Sequence, residues 1–192
     1  MESDTEFGTE PDLTVSQPGQ PGKRRRLLWL SGAALLLVIL AGALILLRMR
    51  NPAAVPIPAQ VGGLSLTSQA FGMEAAGHIA HLHGKDFPLT GAAVGEYGDG
   101  QATLWVSRTL GRRSAQAQIR SMTDAIAKGT SPFEPIGVQD VGDCIVYTLT
   151  GMGQNHFYFS AGDQVIWLAV APDRAEAALS RLLDYYAATS GC

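Results

Sequence analysis

The chain has 192 residues, with 14 Lys and Arg, 17 Asp and Glu, and two cysteines. Residues 51–192 hold 8 bases and 12 acids, a net charge of −4 that argues against nucleic acid as a partner and against adhesion to an anionic lipid surface. No G-x-S-x-G, H-E-x-x-H, P-loop or C-x-x-C pattern occurs, which removes the sequence support for the enzyme classes built on them.

Residues 1–22 carry five acids (Glu2, Asp4, Glu6, Glu10, Asp12) and three prolines (Pro11, Pro18, Pro21), with few apolar side chains. Such a stretch cannot bury enough surface to offset its ordering entropy. With the basic cluster Lys23–Arg26 it makes a segment, 1–26, read as a disordered tail ending in a basic stop. Leu27–Leu47 then runs for 21 residues without a charge or a proline, and Ser31 is its one hydroxyl. As a helix it is about 31 Å long, the thickness of a bilayer's hydrocarbon core. It has no polar face, so the expected surroundings are a lipid bilayer. Four positive charges precede it and two, Arg48 and Arg50, follow it. That excess places the N-terminus in the cytoplasm and the C-terminal part outside the cell membrane. Ala41-Gly42-Ala43 offers a signal-peptide cleavage site as a rival, but the apolar run continues through Leu47 and favours an uncleaved anchor. Arg24-Arg25-Arg26-Leu27-Leu28 faintly resembles a twin-arginine export signal and is read as a basic stop. Pro52, Pro56 and Pro58 make 48–62 a stiff extended spacer.

Residues 63–192 suffice for one extracytoplasmic domain with its own core. A short strand is expected over Gly63–Thr67. Thr67 or Ser68 would then cap a helix to His83, closed by Gly84 and buried along Phe71, Ala75, Ile79 and Leu82. Ala92–Tyr97 and Gln101–Thr109 flank Gly98-Asp99-Gly100, a hairpin signal. A helix from Ser114 to Lys128 has Ala115, Ile119, Met122 and Ile126 on its inner face, with Gly129 as the stop. Strands follow at Ile136–Val141, Cys144–Thr150, His156–Phe159 and Val165–Val170, with Gly151-Met152-Gly153 and Ala161-Gly162-Asp163 as turns. Pro172 opens the last helix, whose stripe is Ala175, Ala178, Leu179, Leu182, Leu183 and Tyr186. The fold class is α+β: an antiparallel sheet with about three packed helices. GDGQATLWVSR and SAGDQVIWLAV, each followed by a helix, echo one another. They suggest two hairpin-plus-helix repeats with their helices on one face of the sheet.

Three features bear on function. His78, His81 and His83 cluster on a helix; His78 and His81 are i, i+3 neighbours, and His156 lies beyond a turn. Imidazoles so placed suit Zn, Cu or the axial position of haem. The alternative is a set of solvated or core histidines. Cys144 and Cys192 would persist as a disulfide outside the cytoplasm, worth about 3–4 kcal/mol in the chain-entropy model; two separate thiols are the other reading. Phe157, Tyr158 and Phe159 put aromatics on both faces of one strand, and a face left uncovered by helices would be a partner surface. The leading expectation is a membrane-anchored binding or accessory module, such as a subunit or assembly factor, with another membrane or extracytoplasmic protein as partner. The second is a metal- or haem-binding domain. A hydrolase would have no nominated residues.

Overall fold

The computed structural model describes residues 22–83, 88–129 and 131–191, with side chains from Ala34 onward. Two compact units divide the chain, 1–42 and 43–192. Helix α1 (Gly22–Arg50) has a proline-free, Leu- and Ala-rich sequence that favours the α conformation. It starts before the basic cluster, so Lys23–Arg26 are helical and do not belong to the tail. The predicted disordered tail lies outside the described residues up to residue 21. Part of the predicted span, residues 27–33, has no described side chains. Among the described residues no helix is long and apolar enough to cross a membrane.

The second unit is α+β. In chain order it runs β1 (Ala53–Ala54), β2 (Gln60–Val61), β3 (Leu64–Phe71), α2 (Gly72–His83), β4 (Gly91–Tyr97) and β5 (Ala102–Arg108). It continues with α3 (Arg112–Ala127), β6 (Glu134–Val141), β7 (Cys144–Gly151), β8 (Gln154–Ala161) and β9 (Gln164–Val170). A 3₁₀ turn at Pro172–Arg174 leads into α4 (Ala175–Thr189). The strands form one curled sheet in the order β2-β3-β4-β5-β9-β8-β7-β6. All of these neighbours are antiparallel, and β1 adds a short parallel pairing to β4.

The period-2 rule sorts the sheet's side chains onto two faces. One face carries Ala93 and Tyr97 of β4, Leu104 and Val106 of β5, Phe157 and Phe159 of β8, and Ile166, Leu168 and Val170 of β9. These pack with Ala175, Ala178, Leu179, Leu182 and Tyr186 of α4 into the main core. The other face divides into two smaller clusters. Ala92, Val94 and Trp105 meet Ala75 and Ile79 of α2. Tyr158, Val165 and Trp167 meet Ala115, Ile119 and Ile126 of α3. Each large apolar side chain so removed from water contributes about 1.5–3 kcal/mol.

Three expectations are corrected by this architecture. First, helices cover both faces of the sheet. The two tryptophans of the internal echo do sit opposite each other across β5 and β9. But the helix after β5 packs on the Trp167 side and the helix after β9 on the reverse side, so the hairpins echo and the hairpin-plus-helix units do not repeat. Second, 51–62 is no spacer. Val55 and Val61 are fully buried in the main core, the Tyr97 hydroxyl donates to the Pro58 carbonyl at 2.8 Å, and β1 pairs with β4. Third, Thr67–Phe71 is strand, paired with β4 up to Phe71–Ala93. The helix begins only at Gly72, whose φ of +59° turns the chain; a Cβ there would come within 2.9 Å of the Pro52 carbonyl oxygen.

Candidate functional site

The nominated histidines are not brought together. His78, His81 and His83 all lie exposed on α2. At 3.6 residues per turn, His78 and His81 are about 60° apart on one flank, and His83 is turned about 140–160° from them. His83 Nδ1 lies 2.8 Å from the Ile79 carbonyl, which only accepts, so this nitrogen carries the proton. Among the described residues no group of three or more His, Cys, Asp or Glu is arranged to hold a metal ion.

His156 occupies a different environment. It is buried beneath Phe133, whose ring centroid is 4.6 Å away. The Trp167 indole N–H donates to its Nδ1 at 3.2 Å, and its Nε2 is 3.1 Å from the Gly151 carbonyl. Indole is a donor only and a carbonyl an acceptor only, so the ring is the neutral Nε2–H tautomer with both nitrogens used. The one available lone pair, on Nδ1, is taken by Trp167, so neither ring nitrogen is left for Zn, Cu or haem iron. Burial pushes its pKa below the ordinary 6.5, opposed by the bond to Gly151. The unfolded chain therefore takes up this proton first. Stability is whole above pH 6.5 and falls as the pH drops below it. Thermal melts should show Tm falling from pH 7.5 to pH 5, and falling less in His156→Gln.

Phe157, Tyr158 and Phe159 are corrected as a partner surface: they are 5%, 1% and 0% exposed. Phe157 and Phe159 belong to the main core under α4, Tyr158 to the cluster under α3. The aromatics occupy both faces because both faces are covered. Tyr158 instead belongs to a row of directly opposed residues crossing six strands: Val94, Trp105, Trp167, Tyr158, Tyr147 and Val138. Within it, Tyr158 stacks on Trp167 at 5.3 Å and on Tyr147 at 4.8 Å. The Tyr158 hydroxyl is bonded to that of Thr123 on α3, which holds the ring in place.

The row ends in solvent. Val138 on β6 is 63% exposed, and Ile136 and Ile145 beside it are 58% and 50% exposed. Every residue of β6 from Glu134 to Asp140 is exposed. β6 is the edge of the sheet, so half of its backbone groups lack a strand to pair with. The register shifts between Pro135 and Gly137, leaving Gly137–Val141 as the continuous stretch of edge. The opposite edge differs: β3 is bordered by β2 and its exposed residues, such as Thr67, Ser68 and Gln69, are polar. The sequence held a signal for the β6 edge in Pro135, because a proline inside a strand confines it to an edge.

Comparison with known proteins finds no match to any family model, curated protein or solved structure. The chemistry of the surface therefore has to carry the functional argument. It consists of an apolar strand edge with acidic flanks. Beside it a cleft of about 370 Å³ is lined by Arg112, Arg120, Asp143, Ile145 and Tyr147.

Cys144, at the start of β7, is buried and disulfide-bonded. The sequence holds one other cysteine, Cys192, which lies outside the described residues.

Proposed function

We propose that this chain is a single-pass membrane protein whose extracytoplasmic α+β domain is a non-enzymatic binding or accessory module within a membrane protein assembly. The observation that carries the binding role is the β6 edge, where Ile136, Val138 and Ile145 stand exposed around unpaired backbone. Apolar side chains at a free edge cost solubility unless a partner covers them.

The membrane placement rests on other support. The run Leu27–Leu47 is uncharged, and the large apolar residues Leu35–Leu40 and Leu44–Leu47 are each at least 44% exposed. Lipid accepts such a surface and water does not. The basic excess at Lys23–Arg26 favours N-in, C-out, and a disulfide at Cys144 suits an oxidising compartment. With 51–62 packed into the domain, only Asn51 and Pro52 separate the end of α1 from the first paired strand residue.

The full chain in native membranes should be fitted with a photo-crosslinking residue at position 138, and separately at Gln69 on the polar edge. The expected result is a discrete cross-linked species from 138 and none from 69. The same absence from both positions would sink the binding role.

A further inference from the structure

Resting on the reading of β6 as a binding edge, we infer that its occupant is an extended basic strand of a partner protein, added to the sheet next to β6. Such a strand would continue the cross-strand row from Val138 with an apolar residue and set a Lys or Arg against Asp140. Two observations converge on this occupant.

The first is the row itself. Val94, Trp105, Trp167, Tyr158, Tyr147 and Val138 are each directly opposite the next; all six are apolar or aromatic, and all but Val138 are half-buried or better. Only Val138 lacks a neighbour on its outer side. Directly opposed apolar side chains are the unit of sheet stabilisation, so a β-branched or aromatic residue of an incoming strand gains most at this position. Main-chain bonds to the free edge supply affinity, and alternate side chains supply specificity.

The second is charge. Residues 134–144 carry Glu134, Asp140 and Asp143 and no base. Asp140 is two residues from Val138 and therefore on the same face, where it meets Ile145 of β7. A partner strand with a basic residue two positions from its apolar one matches this pair.

The test uses the full chain in detergent and two fluorescein-labelled peptides, Lys-Thr-Val-Thr-Val-Thr-Lys and Glu-Thr-Val-Thr-Val-Thr-Glu, read by fluorescence anisotropy. The wild-type chain should bind the Lys-flanked peptide at least tenfold more tightly than the Glu-flanked one. Glu134→Lys/Asp140→Lys should reverse that order, and Val138→Lys should weaken both. These positions are exposed, so thermal melts should leave the variants folded like wild type. Equal affinity for the two peptides, or no binding of either by wild type, overturns the inference. So does a wild-type chain that ignores both peptides and dimerises through position 138. A positive cross-link from 138 in membranes with indifference to the peptides leaves the binding role standing and refutes only the basic strand.

Discussion

Phe159→Ala should lower the unfolding free energy by about 3–5 kcal/mol, the range for removing a buried aromatic ring from a well-packed core. Phe159 is fully buried on β8, opposite Ile166 of β9, and meets Tyr186 of α4 edge-to-face with ring centroids 6.0 Å apart. Truncation removes the ring's transfer free energy and leaves a cavity that the sheet on one side and α4 on the other are poorly placed to close. Denaturant unfolding with an unchanged m-value measures the loss directly. Val138→Ala is the matched comparison and should stay within about 0.5 kcal/mol, because the side chain is already in water. The pair of variants separates the two roles available to apolar residues in this sheet. If Phe159→Ala were near-neutral, the aromatic strand would be a surface after all, and the assignment of binding to β6 would lose its structural basis.

The elements legible in the sequence were those written in local chemistry. The helices at 112–127 and 175–189 follow from apolar residues at helical spacing, and the structure buries their stripes except for Met122 and Leu183, which are half-buried. The hairpin turn at Gly98-Asp99-Gly100 follows from residues that tolerate positive φ, and all three adopt it. What stayed hidden was decided by distant partners. Pro52, Pro56 and Pro58 read as a spacer, yet the segment lies down because β3 ends at Phe71 and leaves Gly91 and Ala92 of β4 for β1 to pair with. Thr67 and Ser68 carry a helix-capping signal that loses to the strand: Ser68 lies opposite Glu96 of β4, and the Thr67 hydroxyl donates to the Glu96 carbonyl at 3.1 Å. The three aromatics of β8 look sticky only while the sheet is thought to be covered on one face. In the histidine cluster, spacing gave proximity along the chain but not convergence. His156, the most buried of the four, is committed on both nitrogens by Trp167 and Gly151, a pairing between adjacent strands that no local pattern announces.

Loss of the disulfide should be the other large effect, about 4 kcal/mol. If Cys144 is bonded to Cys192, the link closes a loop of about 49 residues, and in the chain-entropy model a loop of that size removes about 4 kcal/mol worth of freedom from the unfolded chain. Cys192→Ala is the cleaner probe. Cys144 is buried with its sulfur 3.2 Å from the Ser160 carbonyl, so Cys144→Ala adds a packing loss to the loss of the bond. The double variant should be no less stable than Cys144→Ala alone, since one bond can be broken only once. Additive losses would mean that the two cysteines do not pair. The consequence reaches the binding edge, because Cys144 begins β7, the strand on which β6 hangs, and Val141 lies directly opposite it across the hairpin. Reduction would leave that hairpin held by its pairing with β8 and by the burial of Val146 and Leu149. The peptide affinity of β6 should then fall in reducing buffer while the Phe159 core remains folded.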